Sequence, residues 1–269
     1  LGDVYKRQLN TTSTRRANAI AFDLREAGRL KRKGNKLTGA VEKDAQGEPI
    51  RIPGHFKNLK GIGWFIKDYG IAQISYNLTN IETTPLHKVF EKTCERAEMR
   101  GLRVTGSELV GLVPKKVLLD AGVYFLRKQQ RSTALADSEI IRIAVKTLGL
   151  DQLKPFIAEE QILESFLDKE ASELVDMSLS DFSYETASES PAPGGGSIAA
   201  YCGALGAALV TMSANLSAHK RGWDDKWEIF SNWGTKSISD QKKLLSLVDK
   251  DAQSFNSIMA AFKSVSYTH

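Results

Sequence analysis

The spacing of apolar positions divides the chain into a mixed half and a helical half. Between Thr12 and Ala27, residues Ala17, Ile20, Ala21 and Leu24 recur at helical spacing, Thr and Ser side chains ahead of them can cap, and Gly28 can end the helix. Leu59–Ile66 and Ile71–Leu78 read as strands, and Lys67–Gly70 between them predicts a hairpin turn. In the second strand Ile74, Tyr76 and Leu78 fall on one face, while Gln73, Ser75 and Asn77 fall on the other. Pro85 opens a second helix through Leu86, Val89, Phe90, Thr93 and Ala97, with Gly101 after it. A short strand is predicted over Leu102–Thr105. A helix then runs from Pro114 through Val117, Leu118, Ala121, Tyr124 and Phe125, and another over Ser138–Leu148, stopped by Gly149. This order predicts an α+β fold, helices packed on one face of a mixed sheet, closing near Leu167.

Beyond that point the pattern holds no convincing strand. Ser197–Ala214, Lys226–Ile238 and Ser239–Phe262 read as helices, so the start of an all-α helical bundle is expected from about Asp176. Residues 9–167 are thus expected to form the first domain, 168–175 a linker and 176–264 the second. Leu1–Gln8 and Val265–His269 match no element pattern around them and resemble translated sequencing-adapter tails. The native sequence is therefore expected to run from about Leu9 to about Ser264 and to continue past both ends.

Composition changes this picture little. Hydrophobic residues make up 42% and charged residues 26%, as in a soluble globular protein. Cys94 and Cys202 lie far apart, with no neighbouring Cys or His at metal spacing, so a metal site is not expected and a reducing cytoplasm is. The net charge of +5 is mild, but Arg29–Lys60 concentrates it: Arg29, Lys31, Arg32, Lys33, Lys36, Lys43, Arg51, Lys57 and Lys60 face only Glu42, Asp44 and Glu48. Such a loop meets solvent, an anionic ligand or nucleic acid. Phe56 is its only aromatic residue, which weighs against nucleic acid. From Ser190 to Ala218 no side chain is charged, long enough for a membrane span, yet Gly, Ala, Ser, Thr and Asn dominate; a buried helix packed against other helices is the better expectation.

Four features carry candidate chemistry. The polar row Gln73, Ser75 and Asn77 either meets water or lines a cleft for a polar heterocycle. Glu108, in Val104–Pro114 with glycines on either side, is expected in a tight loop at a sheet edge, facing solvent, capping a helix or pairing bidentately with the donor edge of such a ring. Gly194, Gly195, Gly196 and Ser197 lead directly into a helix, where backbone N–H groups and the helix dipole favour an anion; the alternative is a flexible linker. On the last helix Leu244, Val248, Phe255, Ile258 and Phe262 form a stripe with Asp251 at its centre and Asp249 off it, a solvated residue. Burial of Asp251 is expected to raise its pKa toward acid–base use, unless a neighbouring Lys or helix end satisfies it. His55, His87 and His219 read as surface or packing residues.

Longer motifs add a resemblance. Arg16–Arg29 (R-A-N-A-I-A-F-D-L-R-E-A-G-R), G-I-G-W-F-I within Lys60–Asn77, and T-G-S-E-L-V-G-L-V-P resemble the C-terminal subdomain of glutamate formiminotransferase. P-A-P-G-G-G-S-I-A-A and L-V-D-K-D-A-Q-S-F resemble the cyclodeaminase domain of the bifunctional family that joins the two. The resemblance implies transfer of a formimino group from N-formiminoglutamate to tetrahydrofolate, the co-substrate, then ring closure to 5,10-methenyltetrahydrofolate with loss of ammonia, without a metal. It places the transferase histidine on an N-terminal subdomain outside this chain and the cyclodeaminase aspartate on Asp251. It leaves Gln73, Ser75, Asn77 and Glu108 as the folate-facing wall, with Gly194–Gly196 or the basic loop near a polyglutamylated tail. Homo-oligomers are implied by analogy, while the composition of Ser190–Ala218 and of the basic loop leads to no membrane and no nucleic acid being expected. The chain alone is expected to be inactive, and the rival is a non-catalytic folate-binding or oligomer-assembly module.

Overall fold

The computed structural model describes residues 3–34, 38–167 and 174–266. The chain forms two compact units, Leu1–Phe125 with Ser138–Leu167, and Leu126–Asp137 with Asp168–His269. The segment Leu126–Asp137 departs from the expected division, because it belongs with the helical unit. Most of the expected linker lies outside the described residues, as do Leu1, Gly2 and Tyr267–His269 of the two expected tails.

The first unit is built on a four-stranded sheet of order β4-β5-β1-β6, with β1 Asp3–Leu9, β4 Leu59–Ile66, β5 Ile71–Leu78 and β6 Val104–Val110. All three ladders are antiparallel, where a mixed sheet was expected. The hairpin β4–β5 is as the period predicts, turning through Lys67–Tyr69 with Gly70 left-handed at φ 62°.

β1 corrects the reading of Leu1–Gln8 as lying outside any element. It is a central strand, pairing Tyr5 with Tyr76 on one side and Leu109 on the other. Tyr5 and Leu9 point into the core while Lys6 and Gln8 point away, a two-residue period that Arg7 disguises by carrying a charge inward. Arg7 is fully buried, donating to the Leu148 carbonyl at 3.2 Å and to the hydroxyls of Tyr5 and Ser107, with its guanidinium 4.0 Å from the Phe90 ring.

Helices cover one face of this sheet. α1 Thr14–Leu24 is capped by Ser13, whose hydroxyl accepts from Arg16 N–H, and buries Ala17, Ile20, Ala21 and Leu24. It lies so close to β4 that a Cβ on Gly63 would come within 2.6 Å of Ala17 Cβ and Asn18 N, and Asn18 exchanges two hydrogen bonds with the Gly63 backbone. α2 Leu86–Glu98, α3 Lys115–Lys128 and α4 Asp137–Leu148 add Val89, Leu118 and Leu148 to a core shared with Ile74 and Tyr76. The basic loop is not irregular throughout: β2 Arg29–Leu30 pairs with β3 Arg51–Ile52, and bridges Arg32↔Val41 and Lys43↔Pro49 extend the ribbon. Short helices α5 Ala158–Gln161 and α6 Leu163–Leu167 complete the unit.

The second unit holds α7 Leu179–Thr186, α8 Gly195–Ala218 and α9 Trp227–Ser266. α9 is one continuous helix where two were expected; no helix breaker separates Ile238 from Ser239, so the pattern runs on. α8 packs along α9 and buries Ala204, Thr211 and Ala214, but Leu205, Leu209, Val210, Met212 and Leu216 are exposed. The expectation of a buried helix therefore holds for one face only. Among the described residues, α8 alone is long and apolar enough to cross a membrane by length and composition.

Candidate functional site

Alternation along the strands leaves one face of the sheet free of the main helices, and antiparallel register aligns its residues into rows. One row runs Ile62, Ser75, Lys6, Glu108 and the next Trp64, Gln73, Gln8, Gly106. Lys60 lies opposite Asn77. Gln73, Ser75 and Asn77 thus share one face, as the two-residue period required, and the register adds Glu108 to it. Beside Ser75 and Asn77 a cavity of about 660 Å³ is lined by Arg25, Lys60 and Ile62.

These groups are held differently. Gln73 is buried and its Oε1 accepts from Trp64 Nε1 at 3.3 Å. Gln8 is fully buried, and among the described residues neither of its amide atoms nor Asn77 Oδ1 has a hydrogen-bond partner. Glu108 stands in β6 rather than in a loop, because the strand continues through Thr105–Val110. Its carboxylate pairs with Lys154 at 3.0 Å and Lys6 at 3.8 Å. The pattern of β4 could have placed Lys60, Ile62 and Trp64 on this face from sequence; Lys6 and Gln8 were hidden by the dismissal of β1. No sequence signal marks Lys154.

The second constellation lies in the helical unit. Asp251 of α9 reaches the N-terminus of α8, where its Oδ2 accepts from Ser197 N–H at 2.9 Å. Ser197 is fully buried; its Oγ lies 2.8 Å from the Val248 carbonyl and 3.2 Å from Asp251 Oδ2, so one hydroxyl proton serves two acceptors. Asp251 Oδ1 makes no hydrogen bond among the described residues. A Cβ on Gly196 would fall 2.3 Å from it, so a side chain there would displace the carboxylate. Gly194 and Gly195 meet no such constraint.

Three expectations change here. Asp251 is exposed, because Phe255, Ile258 and Phe262 of its stripe are exposed too, so burial no longer supplies the desolvation argument. The anion favoured by the glycine-led helix end is the chain's own carboxylate, satisfied by the helix dipole and an N–H group. Asp249 is not merely solvated: its Oδ1 accepts from Leu174 N–H at 2.9 Å. A cavity of about 510 Å³ opens at Asp251, bounded by Gly196, Ala200, Leu247, Lys250 and Ser254.

Of the described histidines, His87 is buried and His55 and His219 are exposed. His87 is buried against Tyr124, ring centroids 4.4 Å apart, and burial together with Lys88 lowers its pKa. His55 meets Phe56 edge-on, and partial desolvation lowers its pKa and that of His219 as well. Among the described residues no three His, Cys, Asp or Glu side chains are grouped to hold a metal.

A one-sided α+β sheet unit followed by a helical pair that presents a capped carboxylate defines a two-domain chain with a separate candidate site in each unit. Family comparison assigns both units. The chain belongs to the formiminotransferase-cyclodeaminase family: residues 4–168 match the formiminotransferase domain and residues 178–269 the model described as formiminotransferase-cyclodeaminase. It is 39% identical over 249 residues to formimidoyltransferase-cyclodeaminase of Gallus gallus, covering 92% of this chain and 42% of the relative. It is 38% identical over 258 residues to that of Sus scrofa, covering 95% and 44%. Against glutamate formimidoyltransferase of Streptococcus pyogenes serotype M1 it is 40% identical over 74 residues, 28% of this chain and 25% of the relative. The chain thus spans less than half the length of the bifunctional relatives it matches.

Proposed function

We propose that this chain is part of a cytoplasmic, homo-oligomeric folate enzyme of histidine breakdown. It transfers the formimino group of N-formiminoglutamate to tetrahydrofolate, then closes the ring to 5,10-methenyltetrahydrofolate and releases ammonia. Family membership over both units supports the pair of reactions. The observation that carries the second is the Asp251 carboxylate, anchored through Oδ2 on Ser197 with Oδ1 at a cavity. As N10 of the folate attacks the carbon of the protonated formimino group (C=NH2+), Oδ1 accepts the N10 proton and returns it to the resulting NH2 group, whose bond to that carbon then breaks to release ammonia and leave the methenyl cation. Lys250 beside the cavity favours the anionic part of the substrate.

For the first reaction the open face of the sheet supplies the folate-facing wall. Asn77 Oδ1, buried without a partner among the described residues and beside the cavity of about 660 Å³, favours a polar ring there. Gln73 and Ser75 complete that wall. Glu108 contributes least, since pairing with a pterin would cost it Lys6 and Lys154. Gly194 and Gly195 border the folate without binding its anion, because Asp251 already occupies the helix end. Further helices of the bundle cover the exposed apolar residues of α8, which accounts for that helix without a membrane.

The test is Asp251→Asn in a protein of the relatives' full length. Methenyl-folate formation, followed by absorbance, is expected to fall about 10²–10⁴-fold while formimino transfer is retained. Unchanged ring closure removes Asp251 from the chemistry and leaves the helical unit an assembly module.

A further inference from the structure

The basic ribbon plays no part in either proposed reaction, yet with α1 it encloses a second kind of site. A cavity of about 350 Å³ between them is lined by Arg15, Arg25, Arg29, Arg32 and Arg51, with Asn18 and Phe22 between the guanidinium groups. Arg15, Asn18 and Phe22 share one face of α1 and Arg25 follows at its C-cap; the other three arginines come from the ribbon. Among the described residues no carboxylate lines this cavity.

Among the described residues, Arg29 alone of these five has a counter-charge, Asp23, which also takes Arg100. Among the described residues, no carboxylate pairs with Arg15, Arg25, Arg32 or Arg51. Three of those four are instead fixed by backbone carbonyls: Arg25 on Gly28 and Gly61, Arg32 on Gly39 at 2.7 Å, Arg51 on Ala27 at 3.4 Å. Arg25 also stacks on Phe22, 3.9 Å from the ring centroid. Arginines on a solvated face spread apart to relieve like-charge repulsion, whereas these are tethered toward one cavity. Burial lowers the pKa of Arg25 and Arg29, and the neighbouring Arg51 adds to it at Arg25.

We propose that this cavity binds a compact multivalent oxyanion, either phosphate-bearing or polycarboxylate. Guanidinium forks hold both classes bidentately, and fixing them beforehand lowers the ordering cost of binding. The site shares Arg25 with the cavity beside Ser75 and Asn77, but its other four arginines come from α1 and the ribbon and not from the open sheet face.

Calorimetric titration of the 269-residue chain with pyrophosphate and, separately, with citrate tests the proposal. At least one anion is expected to bind saturably, more weakly as salt rises. Preference for pyrophosphate assigns the phosphate class and preference for citrate the polycarboxylate class. Arg32→Gln with Arg51→Gln should weaken binding about 100-fold, taking roughly tenfold for each charged hydrogen-bonding group lost. Arg15→Gln, at an exposed residue with no hydrogen bond to the chain among the described residues, should weaken it about tenfold without disturbing the fold. Absence of saturable binding of both anions at low salt, or equal affinity in these variants, overturns the proposal.

Discussion

The two units solve the problem of presenting polar groups in opposite ways. The α+β unit closes one continuous core around Tyr5, Ile20, Ile74, Leu118 and Leu148, and its open sheet face rests on that core. The helical unit buries a small cluster, Leu174, Val248 and Ala252, and leaves Leu209, Leu216, Ile258 and Phe262 exposed. A sheet fixes the positions of its outward side chains through a backbone ladder, so the face is defined once the inward side is packed. A helix pair fixes only its shared seam. Its carboxylate site lies in that seam, at Gly196, Ser197 and Asp251, while apolar residues on the outer faces of the pair are exposed.

Substitutions can break or sharpen that contrast. The largest effect on stability is expected from Leu118→Ala, which empties a fully buried position and should cost about 2–5 kcal/mol, read as an early urea transition of the sheet unit. Gly63→Ala places a methyl against α1 and should cost about 1–3 kcal/mol by overpacking. Leu209→Ala, at a residue 61% exposed, should change stability by less than about 0.5 kcal/mol; a loss as large as that at Leu118 would erase the distinction between the units.

A further effect comes from His87, whose folded pKa is held below the ordinary 6.5 by burial and by Lys88. The unfolded chain then binds more protons than the folded one as pH falls through 6.5, so stability rises with pH across that window and declines on acidification. Urea midpoints at about pH 8 and about pH 5.5 should differ in that direction, and His87→Gln should reduce the difference.

How much was legible in the sequence follows the same division. The hairpin β4–β5 was readable to its ends because period-two alternation and a left-handed glycine both mark it. The shared face of Gln73, Ser75 and Asn77 followed from the same period. β1 was missed because Arg7 occupies an inward position that the pattern reserves for an apolar side chain. Glu108 was misplaced by reading Gly106 as a turn, whereas it pairs within the ladder opposite Gln8. In the helical unit, Asp251 and the glycine loop were each visible as chemistry, but their meeting was not, because no local rule joins residues 54 apart. The burial expected for Asp251 failed because an apolar stripe shows which face seeks a partner, not whether one is present.

The most direct test of the central claim, that the glycine loop and Asp251 form one catalytic unit, is a double-mutant cycle in a protein of the relatives' full length. Cyclodeamination rates would be compared for Gly196→Ala, Asp251→Asn and the pair. The account predicts that Gly196→Ala alone slows ring closure by displacing the carboxylate, and that adding it to Asp251→Asn slows the reaction little further. Independent, multiplying losses would contradict it, placing the glycine and the aspartate in separate roles.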